Sequence, residues 1–97
     1  MEHNHTVILD LSNCKDLYEL HQQIKIAFDF PDYYGENWDA FFDLLCTDSD
    51  AAKILIRGIR NAPQSLSEHL EKLYDTINAA GSHLSQFNTT LIFEIID

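Results

Sequence analysis

Three short runs rich in β-branched and other apolar residues, at 6–11, 53–59 and 90–96, stand far apart along the chain. Between them, apolar residues recur at helical spacing. A strand that waits for a helix before the next strand cannot close a hairpin and needs a crossover connection. The pattern therefore predicts an α/β fold: a three-stranded parallel sheet packed by helices, in the order strand, helix, helix, strand, helix, strand, with right-handed crossovers. The runs look apolar throughout rather than alternating, which predicts a sheet buried within the fold.

Leu17, Leu20, Ile24 and Phe28 predict a helix over 14–28, with Ser12 and Asn13 as N-cap residues. Pro31 ends it, because proline disfavours helix at the preceding residue. Tyr33-Tyr34-Gly35 reads as a turn or loop, and a second helix is expected over 37–46, ended by the polar Thr47-Asp48-Ser49-Asp50. Ser65-Leu66-Ser67-Glu68 has capping-box spacing before a stripe of Leu66, Leu70, Leu73, Ile77 and Ala80. Gly81 stands where a left-handed helix stop belongs. With 97 residues, 45% of them hydrophobic, and only 3 Gly and 2 Pro, the chain is expected to be one domain over 1–97 without linker or repeat. No apolar run is long enough to span a membrane, and no basic segment followed by an apolar one predicts a secretory leader.

Sixteen acids against 6 bases give a formal charge of -10. That balance excludes phosphate-neutralising roles, so nucleic acid and anionic membranes are not expected partners. Solubility alone accounts for many acidic chains, but here the charges are segregated. No Lys or Arg lies between Lys25 and Lys53, a window holding Asp29, Asp32, Glu36, Asp39, Asp43, Asp48 and Asp50. At about 100° per residue, Asp39 and Asp43 share one helical stripe. Glu36 and Cys46 fall near it. Ala40, Phe41 and Leu44 face the other way, as the natural core side. Phe42 sits on the shoulder of the acid stripe, and Trp38 and Leu45 continue that flank. Two carboxylates four residues apart repel. The helix dipole offsets this in the first turn but not at Asp43. Such a stripe suits a cationic ligand, held by charge-assisted hydrogen bonds and an aromatic face. The alternative is a solvated face, or bases brought in by the fold.

Other chemistries find little support. Asp39 and Asp43 have no histidine nearby in sequence to complete an acid–base pair, and their spacing is not that of an EF-hand loop. His3 and His5 form an H-x-H too small for a structural metal site. His21, His69 and His83 are scattered, as expected of surface or half-buried helix positions. Cys14 and Cys46, at helix ends, read as buried free thiols in a reducing compartment, with an oxidised pair as the alternative. No phosphate-cradling loop or nucleophile elbow occurs. No catalytic residue, cofactor or metal is therefore expected, and the chain does not read as an enzyme.

The stretch from Phe30 through Pro31-Asp32-Tyr33-Tyr34-Gly35-Glu36-Asn37-Trp38-Asp39-Ala40-Phe41-Phe42-Asp43 to Leu44-Leu45 resembles the barstar family of bacterial ribonuclease inhibitors. The pattern is P-x-Y-Y-G-x-N-x-D-A, then an aromatic, Asp and Leu. Asp16-Leu17-Tyr18-Glu19-Leu20-His21 resembles that family's first helix. The resemblance implies a small cytoplasmic protein that plugs the active site of a basic, toxic ribonuclease, as a monomer or in a 1:1 complex. In that picture the helix beginning near Asn37 enters the RNA-binding cleft. Its carboxylates stand in for phosphates, with Asp43 as the central acid and Asp39 its companion. Tyr33 and Gly35 match loop positions that pack on the enzyme, Asn37 a helix-start contact, and Phe42 a position where an aromatic precedes the central acid. The family's loop after this helix usually brings an aromatic, absent from Thr47-Asp48-Ser49-Asp50, and residues 59–64 are short for a further family helix. The family also supplies an acid about five residues before the glycine closing its last long helix. Counted from Gly81, that position is Thr76, with Asp75 beside it. The candidate partner-binding set is thus Tyr33, Gly35, Asn37, Asp39, Phe42, Asp43, Cys46, Thr47 and Asp75. The departures imply a nuclease other than the best-known target. The alternatives are a docking module for another cationic partner, or a small enzyme using Asp39 or Asp43 as base.

Overall fold

A computed structural model describes residues 5–96 of the chain. The three apolar runs form β1 (His5–Asp10), β2 (Ala51–Arg57) and β3 (Ile92–Ile95). They pair in parallel in the order β1-β2-β3, with Val7, Ile54 and Phe93 in register, and Ile8, Leu55 and Glu94 in the next row. The helices are α1 (Leu17–Phe28), α2 (Trp38–Thr47), the short α3 (Gln64–Ser67) and α4 (Leu70–Ser85). The predicted class and order are therefore observed, with α3 as a single added turn after residues 59–63.

The sheet is buried on one face only, which corrects the expectation of an interior sheet. Leu9, Ile54 and Ile56 lie in one core with Leu20, Ile24, Leu73 and Ile77. Side chains alternate along a strand, so the neighbouring rows face out: Ile8 is 55% exposed and Ile92 52%. Lys53 reaches Glu94 at 3.1 Å across this outer face, and Arg57 approaches Asp10 at 4.0 Å. Ile8, Leu55 and Ile92 in outward rows disguised the alternation.

The helix ends differ from expectation because local hydrogen bonds decide them. α1 begins at Leu17, not Cys14. Its N-cap is Asp16, whose carboxylate accepts from Glu19 N at 2.9 Å, while Glu19 Oε1 accepts from Lys15 N at 2.8 Å. Ser12 and Asn13 cap nothing; Ser12 N instead donates to Asp10 Oδ1. The Ser65…Glu68 spacing does not form a capping box. Ser65 lies inside α3, which Pro63 starts and Glu68 closes, and its hydroxyl donates to Lys15 O. The stripe from Leu66 to Ala80 is buried as predicted. Gly81 is no stop, since α4 runs through it. A Cβ there would stand 2.7 Å from Leu91 O, so glycine lets the segment leading into β3 cross the helix. The left-handed residue is Asn88 (φ 60°), beyond which Thr89 N donates back to Leu84 O. Among the described residues no helix is long and apolar enough to cross a membrane.

Candidate functional site

The segment joining α1 to α2 has no regular structure, yet it is pinned at several points. Phe30 and Tyr34 are buried. Phe30 packs between Phe28 and Tyr34, each 5.2 Å away between ring centres. The Tyr34 hydroxyl meets His21 Nδ1 at 2.7 Å. Glu36, at φ 55°, accepts from Gln22 Nε2 at 2.7 Å. Asn37 then caps α2, accepting from Ala40 N at 2.8 Å and donating to Gly35 O at 3.2 Å. With its neighbours pinned, Tyr33 projects outward, 76% exposed.

His21 is buried, which corrects its expected surface or half-buried place. It stands under this segment with Trp38 4.6 Å away between ring centres, and its Nε2 has no hydrogen-bond partner among the described residues. Burial pushes the imidazole below the ordinary histidine range, against the charge of Glu36, which favours the protonated form. Burial also pushes the Tyr34 hydroxyl well above its usual value. The neutral imidazole and the phenol are thus locked as a hydrogen-bonded pair.

α2 presents two faces. Phe41 and Leu44 enter the core as predicted, and Leu45 joins them rather than continuing the outer flank. Asp39 and Asp43 are exposed, with Phe42 and Trp38 half-buried beside them. Among the described residues neither carboxylate enters an ion pair. Lys25 goes to Asp32, Lys53 to Glu94 and Arg57 to Asp10. α2 docks on α4, and an open groove of about 220 Å³ runs along the seam. Trp38, Asp39 and Phe42 line one wall, and Lys72, Asp75, Thr76 and Ala79 the other. The structure thus brings Asp75 beside Asp39 and Phe42. Thr76 is buried, its hydroxyl donating to Lys72 O at 2.8 Å. At the far end of α2, Thr47 Oγ1 donates to Asp43 O at 2.8 Å. The half-buried Cys46 thiol is raised by burial and then by the Asp43 charge, which leaves it a poor nucleophile. Buried Cys14 is raised in the same way.

Two residues at this surface escaped sequence reasoning. His83 of α4 lies 6.0 Å from the Phe42 ring, and Phe87 5.6 Å from His83. The helix-closing landmark is Asn88 rather than Gly81, and five residues before Asn88 is His83. The signal was in the sequence, in an Asn that tolerates the left-handed region.

Chemically, this surface offers exposed acids, two half-buried aromatics and a pinned loop, with Lys72 across the groove from Asp39. No group of three or more His, Cys, Asp or Glu among the described residues is placed to hold a metal ion. Of the H-x-H pair, His5 meets Asp50 at 2.8 Å, and His3 lies outside the described residues.

Over 39 residues the chain is 44% identical to a protein of Bacillus subtilis (strain 168) named "Putative ribonuclease inhibitor YrdF". That match covers 40% of this chain and 43% of the relative's length. A family model described as Barstar (barnase inhibitor) matches residues 4–95 and so takes in every strand and helix described above. The chain belongs to the barstar family.

Proposed function

We propose that this protein inhibits a basic bacterial ribonuclease by laying α2 across the enzyme's RNA-binding cleft, where Asp39 and Asp43 occupy the positions of RNA phosphates. The observation that carries this reading is the pair of exposed carboxylates without an ion-pair partner among the described residues, on a helix whose start is fixed by Asn37 and whose inner face is locked in the core. Such a pair repels itself in the free protein. A cationic cleft relieves that repulsion and supplies charge-assisted donors. Phe42 and Tyr33 add apolar contact on either side, and Asp75 adds a third carboxylate at the seam. Gly35, Cys46 and Thr47 border the same surface. The protein acts as a single domain over 1–97, without catalysis of its own, in the cytoplasm, as a monomer that forms a 1:1 complex. Family membership and the ribonuclease-inhibitor name of the Bacillus subtilis relative support the nuclease as partner.

The test is inhibition of RNA cleavage by barnase, the enzyme named in the family's description, at low and high salt. Inhibition that weakens with salt and is lost in Asp43→Ala supports the reading. Full RNA cleavage in the presence of excess protein at low salt overturns it for this enzyme and moves the acid stripe to another cationic partner.

A further inference from the structure

We infer that the end of α4 and the turn after it supply a second, uncharged half of the docking surface: His83 and Phe87, with Phe42 of α2, form an aromatic tier that receives an apolar or aromatic side chain of the ribonuclease, beside the cationic groups met by Asp39 and Asp43. The inference rests on the proposed function and specifies what else that partner must present.

Three observations carry it. First, Asp75, Ala79 and His83 follow one another at four-residue intervals along α4, which keeps them near one side of the helix, and Phe87 follows in the turn just past its end. Asp75 and Ala79 line the groove with Phe42, and His83 and Phe87 extend it as a ladder of rings. Second, Phe87 is 65% exposed, and its backbone is fixed by its N–H on Leu84 O at 2.9 Å and by the left-handed Asn88 turning the chain behind it. A large apolar ring exposed to water forgoes burial that a partner recovers. Third, no Asp, Glu, Lys or Arg occurs between Asp75 and Glu94, an uncharged stretch in a chain of net charge -10. What binds the lower end of the seam is therefore not recruited by charge. The tier also supplies, from the turn after α4, an exposed aromatic at the edge of the surface that Thr47-Asp48-Ser49-Asp50 lacks.

Rates of association and dissociation with immobilised barnase test this on the full chain, for wild type, Phe87→Ala, His83→Ala and Asp43→Ala, at low and high salt. Phe87 lies outside the core, so matched melting temperatures establish that its variant is folded. The tier predicts about tenfold faster dissociation for Phe87→Ala and a smaller rise for His83→Ala, with the salt dependence of association unchanged. Unchanged dissociation in both variants, with Asp43→Ala still weakened, overturns the tier and leaves the inhibitor reading standing. Absence of wild-type binding at low salt overturns both readings together for barnase as the partner.

Discussion

His21 shows how one polar side chain can hold a docking loop in place. Its neutral ring pairs with Tyr34, and burial disfavours its charged form. The unfolded chain takes up a proton near the ordinary value of 6.5, whereas the folded protein resists it. This contribution to stability is therefore complete above that value and is lost as pH falls below it. The melting temperature should be lower at pH 5.5 than at pH 7.5, and His21→Gln should flatten that difference. At the surface, Asp43→Ala should weaken nuclease binding by about 3 kcal/mol, a little over a hundredfold in Kd, with Asp39→Ala next. Titration calorimetry against barnase measures both, and equal affinity of Asp43→Ala removes it from the site. The acid stripe was legible in the sequence because the helical period alone sets which residues share a face. His21 was not, because its partner Tyr34 lies 13 residues away, across a loop that periodicity does not describe.

At the level of elements, the strands and helices followed from patterning, while their ends were set by hydrogen bonds that patterning does not rank. The spacing Asp16-Leu17-Tyr18-Glu19 was as available as Ser65-Leu66-Ser67-Glu68, yet the first caps a helix and the second does not. Gly81 misled for a related reason: a glycine that permits close approach and one that ends a helix look alike in one dimension. The structure separates them by two substitutions. Gly81→Ala gains about 1 kcal/mol of helix propensity but drives a Cβ to 2.7 Å from a backbone oxygen, a clash costing about 1–3 kcal/mol. Net destabilisation of about 1 kcal/mol should appear as a melting temperature lower by roughly 4–8 °C. Asn88→Gly relieves a left-handed side chain and should change stability by less than about 1 kcal/mol in either direction. Asn37→Ala should cost about 1 kcal/mol in urea titration and loosen the start of α2.

Across the whole molecule, charge and shape are divided. Lys53 and Arg57 lie on the outer face of the sheet, paired with Glu94 and Asp10, whereas α2 carries exposed acids that enter no ion pair among the described residues, and docks on α4. The asymmetry should draw a basic partner towards α2, so association should slow markedly between low and physiological salt while dissociation changes little. Stopped-flow mixing with barnase measures this, and a salt-independent association rate counts against steering. The one-sided sheet was the largest feature the sequence hid, because isoleucines occupy outward rows as well as inward ones. The pinning of residues 29–37 by Tyr34, Gln22 and Asn37 has a thermodynamic corollary. A loop already ordered has little conformational entropy left to surrender, so complex formation should proceed as the meeting of two finished surfaces. The heat-capacity change on binding should then match the apolar area covered at the contact, without the excess that accompanies a segment folding onto its target.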